Sequence, residues 1–155
     1  MASMTDYLEN KLIDFLFRAQ ALGVTGASAG AGSGPTDFYI ALFTAAPSDT
    51  GGGTEVSGNN YSRAHVVNAL TAWDNTQAAS SSAVSSGTGG TTRNQATITF
   101  PTPSATWGTV THMAIFDASS GGNMLYWNAL TASKVINSGD TVTFPANALT
   151  YQIDN

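Results

Sequence analysis

Two histidines are the residues of this chain whose chemistry could serve acid–base catalysis or metal binding. His65 lies in the segment YSRAHVV and His112 in TVTHMAIF, and both segments predict β-strands. A catalytic triad needs a nucleophile, a base and an orienting carboxylate that converge in space. None of the many serines sits at a nucleophile elbow, and we expect His112 to be a structural hydrogen-bonding residue. We therefore predict no catalytic residue and no enzymatic activity.

One serine motif resembles a hydrolase signature, because Gly26–Gly30 matches the pattern G-x-S-x-G. A nucleophile elbow requires a strand before this motif and a helix after it. The sequence predicts neither, since the motif overlaps the low-complexity stretch ASAGAGSGP. We interpret residues 24–35 as a flexible linker.

Two carboxylates in one glycine-rich loop, Asp49 and Glu55, are the candidates for a cation site. Calcium is usually bound by several oxygen ligands at close, alternating spacing, and two carboxylates separated by glycines do not supply that pattern. The chain contains no cysteine, which excludes disulfides and thiolate-bound zinc. We predict no metal site and no cofactor.

Tryptophan offers a different chemistry, because an exposed indole can stack on a sugar ring. Trp73 and Trp127 are the candidates, and a carbohydrate-binding module is therefore one alternative function. The competing interpretation places both side chains in a hydrophobic core. Binding of the isolated domain to a glycan array separates these interpretations.

One amphipathic helix is predicted within an N-terminal segment at residues 1–23. Thr5 suits the N-cap, acidic side chains occupy the first turn, and Gly23 can end the helix. Apolar residues recur at helical spacing; they are Leu8, Leu12, Phe15 and Leu16, and Ile13 and Phe17 widen the apolar face beyond this stripe. This stripe either packs on the sheets of the chain or docks on another subunit. We take its four residues and Trp73 as candidate interface residues.

Residues 36–155 predict an all-β domain, an antiparallel β-sandwich of jelly-roll type. Its centre is Thr106–Leu130, which predicts two strands joined by the polar turn Asp117–Asn123. Asp117 is expected to make an Asx-type turn, and Ser133–Asn137 a short strand or turn. Other strands are predicted at 37–44, 61–67, 96–100, 141–144 and 148–153. Thr71–Gln95, which is rich in Ser, Thr, Ala and Gly, predicts a long exposed excursion or a loose hairpin, and a loop of this length is more often functional or interfacial.

The chain is poor in charge. Only 10% of its 155 residues are charged, with 10 acidic and 5 basic side chains and a net charge of −5. The absence of a basic tract argues against nucleic-acid binding. No apolar run is long enough to cross a membrane, and residues 1–20 lack the pattern of a signal peptide, so we expect folding in the cytoplasm. A surface so poor in charge suits burial in an assembly, which predicts a homo-oligomer. The alternative is a secreted or virion β-protein that is simply rich in Thr, Ser and Gly.

Three segments carry a resemblance to a known family. They are ENKLIDFLFRAQ, FYIALFTAAPSDTGGGTEVSGNNYSRAHV and ATITFPTPSATWGTVTHMAIFDASSGGNMLYWNALTASKVINSGDTVTFPANAL. In these segments the chain resembles small structural proteins of tailed bacteriophages, which are often described as tail-fibre or virion proteins. The resemblance implies a non-enzymatic virion component that is made in the host cytoplasm. Its implied partners are other virion proteins, either the major capsid protein or tail proteins.

The expected role within the virion follows from what the sequence lacks. A fibre shaft is typically built from heptads or periodic β-repeats, and this chain has neither. We therefore expect a capsid decoration (cement) protein that stabilises the particle through subunit contacts. The alternative is a tail-fibre or tail-tip component that contacts the host surface.

Overall fold

Antiparallel β-strands make up most of the regular structure. The computed structural model describes residues 4–22, 34–74 and 83–153, and within these ranges one helix precedes the strands. The helix α1 spans Asp6–Arg18, and the strands are β1 (Asp37–Ala45), β2 (Thr54–Glu55), β3 (Ala64–Val67), β4 (Thr91–Arg93), β5 (Ile98–Thr99), β6 (Gly108–Phe116), β7 (Met124–Ile136), β8 (Thr143–Phe144) and β9 (Thr150–Gln152). The predicted all-β class with antiparallel sheets and an N-terminal helix is confirmed. The jelly-roll topology stays a prediction.

The chain forms two compact units, each assembled from segments that are separated in sequence. Unit 1 comprises Met1–Thr36, Val67–Thr97 and Phe144–Asn155, and unit 2 comprises Asp37–Val66 and Ile98–Thr143. The predicted division of the chain into 1–23, 24–35 and 36–155 stays a prediction. Residues 24–33 of the linker, with the motif at 26–30, lie outside the described residues.

Unit 2 is built around one sheet with the strand order β2-β1-β6-β7, in which β3 also pairs with β1. In the antiparallel ladders, Ala41 of β1 lies opposite Ala114 of β6, which lies opposite Trp127 of β7. Side chains of a strand alternate between the two faces of a sheet. One face therefore collects an apolar cluster, made of Ala41, Phe43, Ala114 and Phe116 with Tyr39 and Met124 at its margin.

The predicted central hairpin is confirmed as β6 and β7, joined through residues 117–123. β6 is covered on both faces, since its neighbours Met113 and Ala114 are both buried. β7 continues to Ile136, so Ser133–Asn137, predicted as a short strand or turn, is strand up to Ile136 and continues the strand that begins at Met124. The register shifts where residues 130–133 bulge out of the ladder, and the same strand then resumes its pairing with β6.

Unit 1 combines α1 with the antiparallel pair β4 and β9, in which Thr92 lies opposite Tyr151. The ring of Phe17 stacks on that of Tyr151, with 5.1 Å between centroids, and meets Trp73 edge-on at the same distance. The Trp73 indole N–H donates to Asn68 Oδ1 at 2.9 Å. The interior of unit 1 therefore mixes aromatic and polar side chains.

Helix α1 buries a face different from the one that its apolar spacing indicates. The buried residues are Glu9, Asn10, Ile13, Asp14, Phe17 and Arg18. The stripe of Leu8, Leu12, Phe15 and Leu16 is only partly buried. At 3.6 residues per turn the two sets occupy opposite sides of the helix, so the helix presents to the interior of unit 1 a face that combines four polar residues with Ile13 and Phe17.

The helix begins as expected and ends early. Thr5 occupies the N-cap position, although its side chain makes no capping hydrogen bond. Ala19 adopts a left-handed backbone conformation with φ of 54°, and the Gln20 N–H donates to the Asp14 carbonyl at 3.0 Å. These features close the last turn, so the expectation that Gly23 ends the helix is wrong.

The predicted excursion at 71–95 is held inside unit 1 over much of its described part. Ser85 is buried, and its N–H and hydroxyl donate to the Asp14 carboxylate at 2.8 and 2.7 Å. Arg18 pairs with the same carboxylate and donates to Ser85 Oγ at 3.3 Å. The expectation of an exposed excursion is therefore wrong around Ser85, while residues 75–82 lie outside the described residues.

Candidate functional site

Each histidine makes a contact with a neighbouring side chain. His65 Nε2 lies 2.6 Å from Asp37 Oδ1, and the exposed imidazole stacks on Tyr39 with 5.0 Å between ring centroids. His112 Nδ1 lies 2.8 Å from Thr111 Oγ1. The contact of His112 is that of a structural hydrogen-bonding residue, as expected from its place on a strand.

The two loop carboxylates considered as cation ligands have protein partners. Glu55 accepts hydrogen bonds from Arg63 and Tyr61. Asp49 Oδ1 accepts one from the indole N–H of Trp127 at 3.2 Å. Across residues 4–22, 34–74 and 83–153, no three His, Cys, Asp or Glu side chains are grouped closely enough to hold a metal ion. The loop is therefore organised by its own hydrogen bonds.

The predicted interface residues lie in unit 1, in two different environments. Leu8, Leu12, Phe15 and Leu16 form the half-buried stripe of α1. Trp73 is fully buried and packs against Phe17, which supports the core interpretation of its indole. The stripe remains a predicted contact surface, whereas Trp73 would have to leave the interior of unit 1 to touch a partner.

A cleft with a volume of about 470 Å³ opens on the unit-2 sheet, and we call it the hairpin cleft. It is lined by the loop at 49–53, by the turn at 121–123 and by Phe43, Glu55, Arg63, Phe116 and Met124. The rings of Phe43 and Phe116 are nearly parallel, with 6.4 Å between centroids. They give the cleft an apolar floor with polar walls.

Arg63 closes one end of the hairpin cleft as a clamp between β2 and the hairpin turn. Its Nε and Nη2 each donate to the Glu55 carboxylate at 2.8 Å, and its Nη1 donates to the carbonyls of Ala118 and Gly121, also at 2.8 Å. Its Cζ lies 3.6 Å from the ring centroid of Phe116. The hydrogen bond with Glu55 raises the pKa of Arg63, so the guanidinium is always charged.

Tyr61 holds the Glu55 carboxylate from the other side. Its hydroxyl donates to Glu55 Oε1 at 3.1 Å and accepts from the Leu42 N–H at 2.9 Å. Burial is the main cause that raises the pKa of Tyr61 above its ordinary value. The phenol therefore stays protonated at neutral pH and remains a hydrogen-bond donor to Glu55.

The turn at the other wall is fastened by Asp117 and Asn123. The Asn123 N–H and side-chain amide donate to the two Asp117 carboxylate oxygens at 2.7 Å each. These hydrogen bonds lower the pKa of Asp117 below its ordinary value of 3.8. Gly122 has a φ of 72°, and a Cβ there would lie 2.4 Å from Asp117 Oδ1, so glycine is required. The expectation that Asp117 serves a turn is confirmed.

The sequence matches a known family over most of its length. Residues 3–152 match the family model described as podophage GP4 fiber I protein gp80. The chain belongs to this fibre protein family. No curated protein matches the chain significantly.

Membership in the fibre protein family confirms the resemblance to virion structural proteins. It fits the tail-fibre alternative, while capsid decoration stays a prediction. Families of phage fibre proteins are generally non-enzymatic and associate with other components of the virion. No helix within the described residues is long and apolar enough to cross a membrane.

The sheet of unit 2 ends in an exposed edge strand, which is a second candidate surface of this fibre protein. β7 is 13 residues long, and Ile136 is its only buried residue. Its first part, Met124–Leu130, contains neither charge nor proline, and Leu125 and Trp127 are each 38% exposed. An edge of this kind is a template for pairing with another chain.

Sequence reasoning missed the two residues that organise the hairpin cleft, Tyr61 and Arg63. Both lie in a segment interpreted as strand, whereas β3 begins only at Ala64. The available signal was charge, because Arg63 is one of only 5 basic residues in the chain. An arginine within an apolar segment is rarely buried without a partner, and Glu55 was the nearest carboxylate that could have been matched to it.

Proposed function

We propose that the chain is a structural subunit of a tail fibre, in which copies associate with one another and with other tail proteins. The observation that carries this proposal is the match of residues 3–152 to a fibre protein family. Two surfaces suit such a role: the edge strand β7 of unit 2 and the apolar stripe on α1 of unit 1.

The edge of β7 is suited to pairing with a second copy of the chain. Natural proteins protect exposed strand edges with charge, proline or bulges. In β7 the charge and the wider bulge lie in the second half, at Lys134 and residues 130–133, and a smaller register shift falls at Leu125. Met124–Leu130 has neither charge nor proline and exposes apolar side chains. Two such edges can pair antiparallel, because a contact between identical strands is self-complementary.

The stripe of α1 is suited to docking on another tail protein. The polar face of the helix is occupied within unit 1, where Asp14 and Arg18 bind Ser85. Leu8, Leu12, Phe15 and Leu16 lie on the opposite side and are only partly covered. An apolar helix face of this spacing is the form that inserts into a hydrophobic groove.

The expected contacts are apolar and neutral. With 10% charged residues, ion pairs contribute little to association, and salt screens charge pairs while leaving apolar burial intact. The oligomer is therefore expected to persist when salt is raised from low to molar concentration.

Analytical ultracentrifugation of the purified chain tests this assembly. The wild type is expected to sediment as an oligomer, and Leu125→Lys is expected to shift it toward monomer, because a charge on the edge must be desolvated on pairing. Val84→Lys is the matched control, since Val84 is an exposed apolar residue of unit 1, 59% exposed. A monomeric wild type, or equal dissociation by both variants, contradicts the proposal.

Capsid decoration is the second candidate, and the absence of heptads and β-repeats favours it. A decoration protein needs a compact body and a complementary surface but no device that builds length. Both candidates use the same surfaces and differ in the position of the chain on the particle.

A further inference from the structure

The hairpin cleft has the volume of a small-molecule site, and its lining combines three large apolar side chains with glycines and polar groups. Ligand sites combine an apolar and aromatic lining with a few placed polar groups, in volumes of roughly 300–1,000 Å³. The cleft falls in this range at about 470 Å³. Its floor is supplied by Phe43, Phe116 and Met124, and its walls include the carboxylates of Asp49 and Glu55. The Glu55 carboxylate is held by Arg63 and Tyr61, so Asp49 is the one that can face a ligand.

Trp127 extends the aromatic surface beside this cleft. It lies opposite Ala114, on the same sheet face as the apolar cluster that includes Phe43 and Phe116. Its indole N–H donates to Asp49 Oδ1 at 3.2 Å, and its ring remains 38% exposed. A ring that is already held in place loses little conformational entropy when a ligand stacks on it.

The charges of the cleft select against anionic ligands. Arg63 is the one cation among the described lining residues, and its side chain is 7% exposed. Its donors are directed at Glu55 and at two backbone carbonyls. A phosphate or a uronate would therefore meet carboxylates without a free cation. Hydroxyl and amine groups suit such walls, because carboxylates accept hydrogen bonds from both.

We propose that the hairpin cleft binds a neutral or amine-bearing sugar unit of a glycan, with Trp127 stacking on the ring and Asp49 accepting hydrogen bonds from its hydroxyl or amine groups. A sugar ring has an apolar C–H face and a polar rim, which match the aromatic surface and the carboxylate walls. The site lies wholly within unit 2 and does not depend on where the chain sits on the virion.

An array of oligosaccharides tests the site with the purified full-length chain. The array carries neutral, amine-bearing and uronate-bearing oligosaccharides, and titration calorimetry follows with the strongest ligand. We expect neutral or amine-bearing oligosaccharides to bind and uronates not to bind. Trp127→Ala is expected to weaken binding at least tenfold, while Trp127→Phe retains most of it by keeping a stacking ring. Val135→Ala, at an exposed position of the same strand, is expected to bind as wild type.

A second variant separates ligand contact from folding. Asp49→Asn keeps an acceptor oxygen but removes the charge. We expect it to weaken the binding of amine-bearing oligosaccharides more than that of neutral ones and to leave the circular dichroism spectrum unchanged. The proposal is overturned if the wild type binds no oligosaccharide, if it prefers uronates, or if a folded Trp127→Ala binds as wild type. None of these outcomes alters the assembly behaviour measured by ultracentrifugation, so the two proposals fail separately.

Discussion

The interiors of the two units of this fibre protein are stabilised by different kinds of interaction. Among the described residues, unit 1 contains nearly all the buried polar and charged side chains: Glu9, Asn10, Asp14, Arg18, Asn68, Asp74, Ser85, Thr92 and Asn94. In unit 2 the side chain of Arg63 is also buried. Unit 2 instead relies on long antiparallel ladders and an apolar cluster around Phe43 and Phe116. Directional hydrogen bonds and ion pairs therefore contribute more to the interior of unit 1, and non-directional apolar packing contributes more to that of unit 2.

Because their interiors differ, the two units are expected to differ in the substitutions that they tolerate. An apolar core tolerates substitutions that conserve volume, whereas a buried polar group must keep its partner or bear the cost of its desolvation. In unit 1 the hydrogen bonds of Asp14 and Arg18 with Ser85 fix one arrangement of α1 and the segment around Ser85.

The largest loss of stability is expected when a large buried side chain of unit 2 is truncated. Trp107 is 6% exposed, its indole N–H donates to the Asn59 carbonyl at 3.0 Å, and its ring meets Tyr61 edge-on. Trp107→Ala should lower the free energy of unfolding by about 3–5 kcal/mol. Urea unfolding followed by circular dichroism measures this loss. An unchanged midpoint would mean that the core of unit 2 lies elsewhere.

In unit 1 we expect a loss of stability of similar size when a buried charged residue is replaced by an apolar one. Arg18→Met leaves the Asp14 carboxylate buried without its cation, which typically costs about 3–5 kcal/mol. Adding Asp14→Leu should recover most of the stability, because a pair of apolar residues leaves no buried charge. Lys11→Met on the same helix is the control and should change little. If the double variant is no more stable than Arg18→Met, the polar interior is not what holds unit 1.

A smaller effect is expected from Asn94, which links three backbone groups of unit 1. Its Oδ1 accepts from the Leu149 N–H at 2.9 Å, and its Nδ2 donates to the carbonyls of Ala96 and Pro145 at 2.8 Å each. Asn94→Ala leaves these groups unsatisfied, at a cost of about 1–3 kcal/mol. Thermal unfolding provides the measurement, and a melting temperature equal to that of the wild type would contradict this assignment.

The smallest effect concerns the hairpin turn and depends on pH. The folded state lowers the pKa of Asp117 below 3.8 through its hydrogen bonds with Asn123. A lowered pKa gives stability that is present above pH 3.8 and is lost as the pH falls through the folded-state value. The melting temperature of Asp117→Asn should therefore lie below that of the wild type at pH 7 and converge with it in acid. Parallel curves across the whole pH range would refute this prediction.

The parts of the fold that the sequence predicts correctly are strands with a clear pattern of apolar and β-branched residues. The hairpin of β6 and β7 and the turn at Asp117 follow from strand-like residues on either side of a polar, glycine-rich segment. The buried face of α1 could not be predicted in this way, because burial of Asp14 and Arg18 depends on Ser85, which lies far away in sequence. Periodicity reports where apolar residues recur and contains no signal for a polar contact between distant segments.

Only part of the hairpin cleft could be predicted from the sequence. The stacking chemistry of Trp127 was apparent from its residue type alone. Its hydrogen bond to Asp49 and the clamp made by Arg63 depend on the packing of a long loop against the sheet, which local sequence does not specify.

The central claim, that this chain is a tail-fibre component, is tested most directly by locating it on the particle. Purified virions labelled with gold-conjugated antibody against the chain, and viewed by electron microscopy, give the position without disturbing the fold. The account predicts gold at the fibres of the tail and a bare capsid surface. Label distributed over the head, with the tail unlabelled, would contradict it and favour capsid decoration.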